Sequence, residues 1–210
     1  MSEHWLEAAL RVRAIAQTGR AYSRDPYDLE RFTELAVLAE SLLARLVEEM
    51  PARISDVFLP ERGYPTPKVD VRAGVFRGDD ILLVRETSDE RWSLPGGWAD
   101  ERESPKQSVE REVWEEAGLR VEAAKLVAIK DRSLHCYVPR RLEHVYKLFF
   151  LCAPTDASAP HAPTQNIETS AAAFFALDAL PPLSTGRTLH EDIELLERHR
   201  RAPGLPTQFD

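Results

Sequence analysis

Residues 104–118, SPKQSVEREVWEEAG, mark out a helix at both ends. Ser104 can cap the N-terminus, Pro105 suits the first helical position, and Gln107 can close a capping box. Gly118 is a natural stop, because glycine enters the left-handed conformation that ends many helices. The spacing predicts a helix over 104–117, about three and a half turns. Val109, Val113 and Ala117 form an apolar stripe along it that must be buried. The flanking segments read as strands, and a capped helix among strands constrains the fold more than any other feature. KVDVRAGVF and ILLVRE surround the turn-like RGDD and predict a hairpin. RWSLPG, VEAAKLVAIKD and EHVYKLFFLCA predict three more strands, and AAAFFAL a short apolar one. A last helix is expected over 186–200. The pattern predicts a mixed α/β domain with the 104–117 helix packed on a sheet.

The N-terminal part has a different period. Trp5, Leu6, Ala9, Leu10, Val12 and Ile15 follow helical spacing. TGRAYSRDPYD should break that helix, with Asp25 and Pro26 starting a second one. Leu29, Phe32, Leu35, Leu38, Leu42 and Leu46 continue it, and Pro51 should end it. These readings give a helical N-terminal domain over 1–57, a proline-rich linker over 58–67 and an α/β domain over 68–210. Two isolated helices bury little, so the first unit is expected to pack on the main domain or on a second subunit. Residues 153–166 read as a polar, proline-rich loop, and Trp5, Trp92 and Trp114 as packing residues.

Among the 210 residues, 35 Asp and Glu outnumber 27 Lys and Arg, a net charge of -8 that argues against a broad nucleic-acid-binding face. Cys136 and Cys152 lack metal-ligand spacing; they read as small buried thiols, although one disulfide can be drawn. The N-terminal stretch has no long apolar run, and no segment approaches the roughly 18–20 apolar residues needed to span a bilayer. A cytoplasmic protein is expected.

Glu112, Glu115 and Glu116 stand at i, i+3 and i+4, in one narrow sector beside the apolar stripe. Like charges at this spacing cost roughly 0.2–0.5 kcal/mol per pair when exposed, and more when desolvated. The nearby cations, Arg111 and Arg102, cannot neutralise these three together with Glu103. A divalent ion can, and oxygen ligands suit Mg2+ or Mn2+. The alternative is a solvated acidic face. Gly96-Gly97 before the helix permits a sharp turn and leaves a carbonyl available to a metal.

Gly97, Glu103, Arg111, Glu112, Val113, Glu115, Glu116, Gly118 and Leu119 together resemble the Nudix box at every fixed position. The resemblance implies an α/β/α sandwich with a mixed sheet, here with a small helical N-terminal domain. It implies hydrolysis of a nucleoside diphosphate linked to a group X. Glu112 and Glu116, with the Gly96 carbonyl, look like the main ligands of Mg2+ or Mn2+, and Glu115 like a further ligand or an orienting carboxylate. Gly97, Glu103, Arg111 and Gly118 look structural, the Glu103–Arg111 pair tying loop to helix. The family often uses a base outside the box. Glu168 is the candidate here, against a plain surface glutamate.

AIAQTGRAYSRDPYDLERF, KVDVRAGVF, WSLPGGWAD and HVYKLFFLC resemble a subgroup with a helical N-terminal domain that includes CDP-choline pyrophosphatases and whose members are often labelled ADP-ribose pyrophosphatases. CDP-choline is the first substrate expectation and ADP-ribose the second. Arg102 departs from the glycine that many relatives carry before the glutamate. Arg72 and Arg85 on strands can reach phosphates or form surface ion pairs. Trp98 can stack on a base or pack. Tyr146 and Lys147 point to opposite faces, so one of them addresses the site, and Tyr146 is the candidate. His135 and His144 read as ordinary hydrogen-bonded histidines. The alternatives kept are an enzyme of RNA ends and a non-catalytic nucleotide sensor. A homodimer through the N-terminal helices is expected.

Overall fold

The computed structural model describes residues 3–47, 63–155 and 168–210. The chain divides into two compact units, residues 1–67 and 68–210.

The first unit is a pair of helices, α1 (Glu3–Tyr22) and α2 (Pro26–Leu46). Helix α1 runs through TGRAY, where the sequence predicts a break. The reason is that Gly19 stays helical and makes room for a neighbour: a Cβ there would lie 2.4 Å from the Phe32 ring of α2. Asp25 caps α2 by accepting from the backbone N–H groups of Tyr27 and Asp28, ahead of Pro26. Arg13 Nε pairs with Glu40 at 3.0 Å. The buried positions of the pair are mostly small: Ala9, Ala16, Ala36, Ala39 and Leu43. The leucine stripe behaves differently, with Leu38 54% and Leu42 52% exposed. Trp5, expected to pack, is exposed as well. Pro51 lies outside the described residues, and α2 ends before it at Leu46.

The second unit contains β1 (Lys68–Arg77), β2 (Asp80–Glu86), β3 (Trp92–Ser93), α3 (Pro105–Ala117), β4 (Val121–Asp131), β5 (Val145–Pro154), β6 (Thr169–Ala176), α4 (His190–Arg201) and β7 (Gln208–Phe209). The strands form one mixed sheet in the order β3-β2-β1-β5-β4-β7, with β6 on β2. β1 runs parallel to β5, from Lys68 opposite Val145 to Val75 opposite Cys152. β4 is antiparallel to β5.

Helices cover both faces, giving an α/β/α sandwich. On one face Val109, Val113 and Ala117 of α3 meet Val71, Ala73, Val84 and Phe150. On the other, Ile193 and Leu196 of α4 meet Leu83, Leu94 and Phe149. The RWSLPG segment yields only the two-residue β3, and α4 starts at His190 rather than 186.

One departure from regular pairing positions the site. β1 pairs with β2 only next to the turn, at Phe76–Ile81 and Arg77–Asp80. Further back, the Val71 and Ala73 amides donate to the carbonyls of Gly97 and Pro95, and the Ala99 amide donates to Val69. The 95–99 loop therefore lies along β1 where a strand would lie. Cys152 is buried and Cys136 exposed, both as free thiols, so the buried-thiol reading holds for Cys152 alone. Among the described residues, no helix is long and apolar enough to cross a membrane.

Candidate active site

Helix α3 is fixed at both ends. The Ser104 side chain accepts from the Gln107 amide, the Gln107 side chain returns the bond, and Gly118 closes the helix at φ 62°. With its apolar stripe locked against the sheet, the next sector is turned to the sheet's edge. Glu112 is 8% and Glu116 3% exposed, whereas Glu115 lies outside at the same edge.

The facing loop needs Gly96, and Gly97 leaves room for the Glu112 carboxylate. Gly96 sits at φ 142°, and a Cβ there would fall 1.9 Å from the Val71 carbonyl oxygen. A Cβ on Gly97 would lie 3.0 Å from a Glu112 carboxylate oxygen. The Gly96 N–H donates to Glu116 Oε2 at 2.8 Å. The carbonyls on either side, Pro95 and Gly97, are taken by β1. The Gly96 carbonyl between them has no partner among the described residues.

Arg111 ties the loop to the helix. Its Nε donates to both oxygens of Glu103, and its Nη1 to Glu112 at 3.0 Å and Glu115 at 2.9 Å. Ser108 Oγ also donates to Glu103. With Asp100 at 3.5 Å from Nη2, one guanidinium thus serves four carboxylates, and Glu116 is left to Gly96. Burial pushes Glu116 up to about 8, against the pull of Arg72 and the Gly96 N–H. Burial also raises Glu112, despite Arg111.

Among the described residues, no three His, Cys, Asp or Glu side chains converge to hold a metal ion. Arg111 draws the Glu112 and Glu115 carboxylates to itself, which accounts for their arrangement. The donor set nevertheless fits a hard divalent cation: buried carboxylates short of positive charge, and a backbone carbonyl without a partner.

These groups line a cavity of about 990 Å3. Trp98, Glu86 and Glu168 line it too, as do four arginines: Arg72, Arg132, Arg141 and Arg187. Arg72 is buried there and grips both oxygens of Asp70, at 2.8 and 3.0 Å, with a third bond to the Leu94 carbonyl. Lys147 Nζ donates to Asp70 at 2.9 Å. Burial favours a neutral Asp70, but Arg72 and Lys147 outweigh it and hold the carboxyl well below the usual range. Burial brings Lys147 down to about 8. The backbone carbonyl of Glu168 accepts from the Thr87 amide and hydroxyl, which pins Glu168 at the cavity.

Two candidate contacts fall elsewhere. Arg85 does not line the cavity; its Nε donates to the Glu90 carbonyl, because β2 turns it to the outside. Tyr146 also misses the cavity, and strand alternation brings its neighbour Lys147 inward instead. Trp114, read as a packing residue, is exposed, lines the cavity and lies under Arg120 at 4.9 Å. Trp92 packs edge-on against Phe175. His135 and His144 bond to Asp210 and Asp131.

Sequence reasoning missed Asp70, Glu86, Arg132, Arg141 and Arg187. Asp70 and Arg72 did leave a trace, as charges two apart within the apolar run of β1. Glu86 is buried, bonded to Ser93 Oγ at 2.6 Å and to Arg187 at 3.1 Å. Of the three other arginines, Arg132 and Arg141 sit in the connection between β4 and β5 and Arg187 sits ahead of α4, and no local pattern marks them.

Comparison with known proteins gives a consistent picture. A sequence-family model described as NUDIX domain matches residues 66–196, and one described as UDP-X-like, N-terminal oligomerisation domain matches residues 3–58. A Bacillus subtilis (strain 168) protein named putative ADP-ribose pyrophosphatase YjhB is 45% identical over 206 residues, 98% of this chain and 97% of that one. The crystal structure of an ADP-ribose pyrophosphatase from Streptococcus suis 89-1591 is 46% identical, with TM-score 0.61, over 69% of this chain and all of that one. The crystal structure of a UDP-X diphosphatase is 29% identical, with TM-score 0.61, over 99% of this chain and 98% of that one.

Proposed function

Because this chain belongs to the Nudix family and is a pyrophosphohydrolase of that family, we propose that its substrate is a nucleoside diphosphate linked to a further group X. One observation carries this reading. Two buried glutamates, Glu112 and Glu116, stand against the Gly96–Gly97 loop in a cavity that arginines also line. That arrangement suits a polyanion which arrives with divalent cations.

Glu112 and Glu116 would hold Mg2+ or Mn2+ with the Gly96 carbonyl, and Glu115 would support them from the rim. When bound, such an ion neutralises charge on the diphosphate and makes hydroxide available near neutral pH. The chain's own groups do the rest. Arg111 and Glu103 keep the loop against α3, where the Gly96 N–H meets Glu116. Arg72, held by Asp70, adds fixed positive charge to the cavity wall. Glu168 takes the proton from the attacking water; Glu168→Gln should lower kcat about 100-fold or more with KM little changed. The products are a nucleoside monophosphate and phosphorylated X.

The names of the two relatives at 45% and 46% identity support ADP-ribose as the compound, and the UDP-X diphosphatase supports a uridine compound. CDP-choline rests on the sequence resemblance alone. Incubation with ADP-ribose, CDP-choline and UDP-sugars in Mg2+, followed by 31P NMR, tests the reading. It predicts a monophosphate product from at least one of them; none from any would overturn it.

The N-terminal helices would join two chains. The description of the matching family model and the exposed Leu38 and Leu42 support this.

A further inference from the structure

Among the described residues five arginines line the cavity, and they are not equivalent: Arg111 ties the loop to α3. Arg72 is tied to Asp70 and Arg187 to Glu86. Arg132 and Arg141 have no carboxylate within ion-pair distance among the described residues.

Arg132 is 7% exposed. Its Nη2 donates to two neutral acceptors, the carbonyls of Pro139 at 2.6 Å and Gly186 at 3.4 Å. Its Nε and Nη1 donors reach no acceptor among the described residues, yet the side chain borders the cavity. Arg141 is exposed and lies 5.4 Å over the ring of Trp98, the residue after Gly97. The two cations feel each other: burial first, then Arg141, lowers the pKa of Arg132, outweighing the opposing pull of Asp70, Tyr137 and Glu143. A buried guanidinium with spare donors and a like charge beside it is unfavourable until an anion arrives. Both residues are held for that role, Arg132 by backbone carbonyls and Arg141 by an aromatic face.

We propose that Arg132 and Arg141 form an anion subsite that takes a phosphoryl or carboxylate group of the substrate, apart from the glutamates of α3. The assignment builds on the reading of this cavity as a nucleoside diphosphate-X site. It has a consequence for X: a cationic group such as choline is disfavoured, and a neutral or anionic group is favoured.

The first test needs no turnover. The intact protein is titrated with inorganic pyrophosphate in EDTA by calorimetry, alongside Arg141→Gln and Arg141→Lys. Arg141 is exposed, so both variants should fold, and their melting temperatures check this. The expected result is at least 10-fold weaker binding in Arg141→Gln, partly restored by lysine. Equal affinity in wild type and Arg141→Gln, or no binding by the wild type, would overturn the subsite. The second test compares kcat/KM for UDP-glucose and UDP-glucuronate in Mg2+. A loss in Arg141→Gln that is equal for both places the diphosphate itself on the arginines; a loss confined to UDP-glucuronate places an anion of X there. If no nucleotide is turned over but pyrophosphate binding still depends on Arg141, the subsite stands and the functional reading falls.

Discussion

Replacing Glu116 by glutamine separates the two things this side chain does. In the folded protein burial raises its pKa from 4.5 to about 8. Below pH 4.5 the carboxyl is protonated in both the folded and unfolded states and contributes no pH dependence. Between 4.5 and 8 the unfolded chain releases this proton and the folded chain keeps it, so stability falls as pH rises. Above 8 the penalty is complete. Full conversion of the shift gives roughly 4–5 kcal/mol. The cavity is open to water, which screens the charge, so about 2 kcal/mol is the expected size. The glutamine side chain keeps the shape and can still accept from the Gly96 N–H. In EDTA at pH 9, urea denaturation should therefore show Glu116→Gln more stable than wild type by about 2 kcal/mol, with the gap closing by pH 5. Millimolar Mg2+ should reverse the order, because only the wild type gains binding free energy. Hydrolysis by the variant should fall by orders of magnitude. A gap that does not change between pH 5 and 9, or a variant less stable at pH 9 in EDTA, would refute the reasoning.

Further outcomes follow from particular contacts. Arg102 sits at φ 71°, where a side chain is strained, so Arg102→Gly should stabilise the fold by about 0.5–1 kcal/mol in thermal denaturation with activity retained. Arg85 lies off the cavity, so Arg85→Ala should leave KM within about twofold in steady-state kinetics. Replacing exposed Leu38 and Leu42 by serine should halve the mass seen by light scattering without lowering helix content; an unchanged mass would remove these residues from any dimer contact.

What the sequence discloses and what it hides divide along physical lines. The ends of α3 were legible because capping is local: Ser104, Gln107 and Gly118 act within a turn of the helix they bound. The strands were legible from alternation and from turn residues such as Gly78 between β1 and β2. The continuation of α1 past Gly19 was not, because that glycine serves Phe32 from another helix rather than its own backbone. The leucines of α2 predicted the helix, but a helical stripe shows that a face seeks cover, not what covers it. Within the site, the glutamates stood out by spacing. The arginines did not, since the fold gathers Arg72 from β1, Arg132 and Arg141 from the connection between β4 and β5, and Arg187 from the stretch before α4. Strand alternation placed one of Tyr146 and Lys147 inward, but only the burial of Lys147 against Asp70 decides which.

The most direct test of the central claim is Mn2+ binding to the intact protein, followed by electron paramagnetic resonance with a non-hydrolysable nucleoside diphosphate analogue present. Wild type should bind at least one ion tightly, and the Glu112→Gln, Glu116→Gln double variant should lose that binding about 100-fold or more. Equal Mn2+ binding by the two proteins would contradict the account.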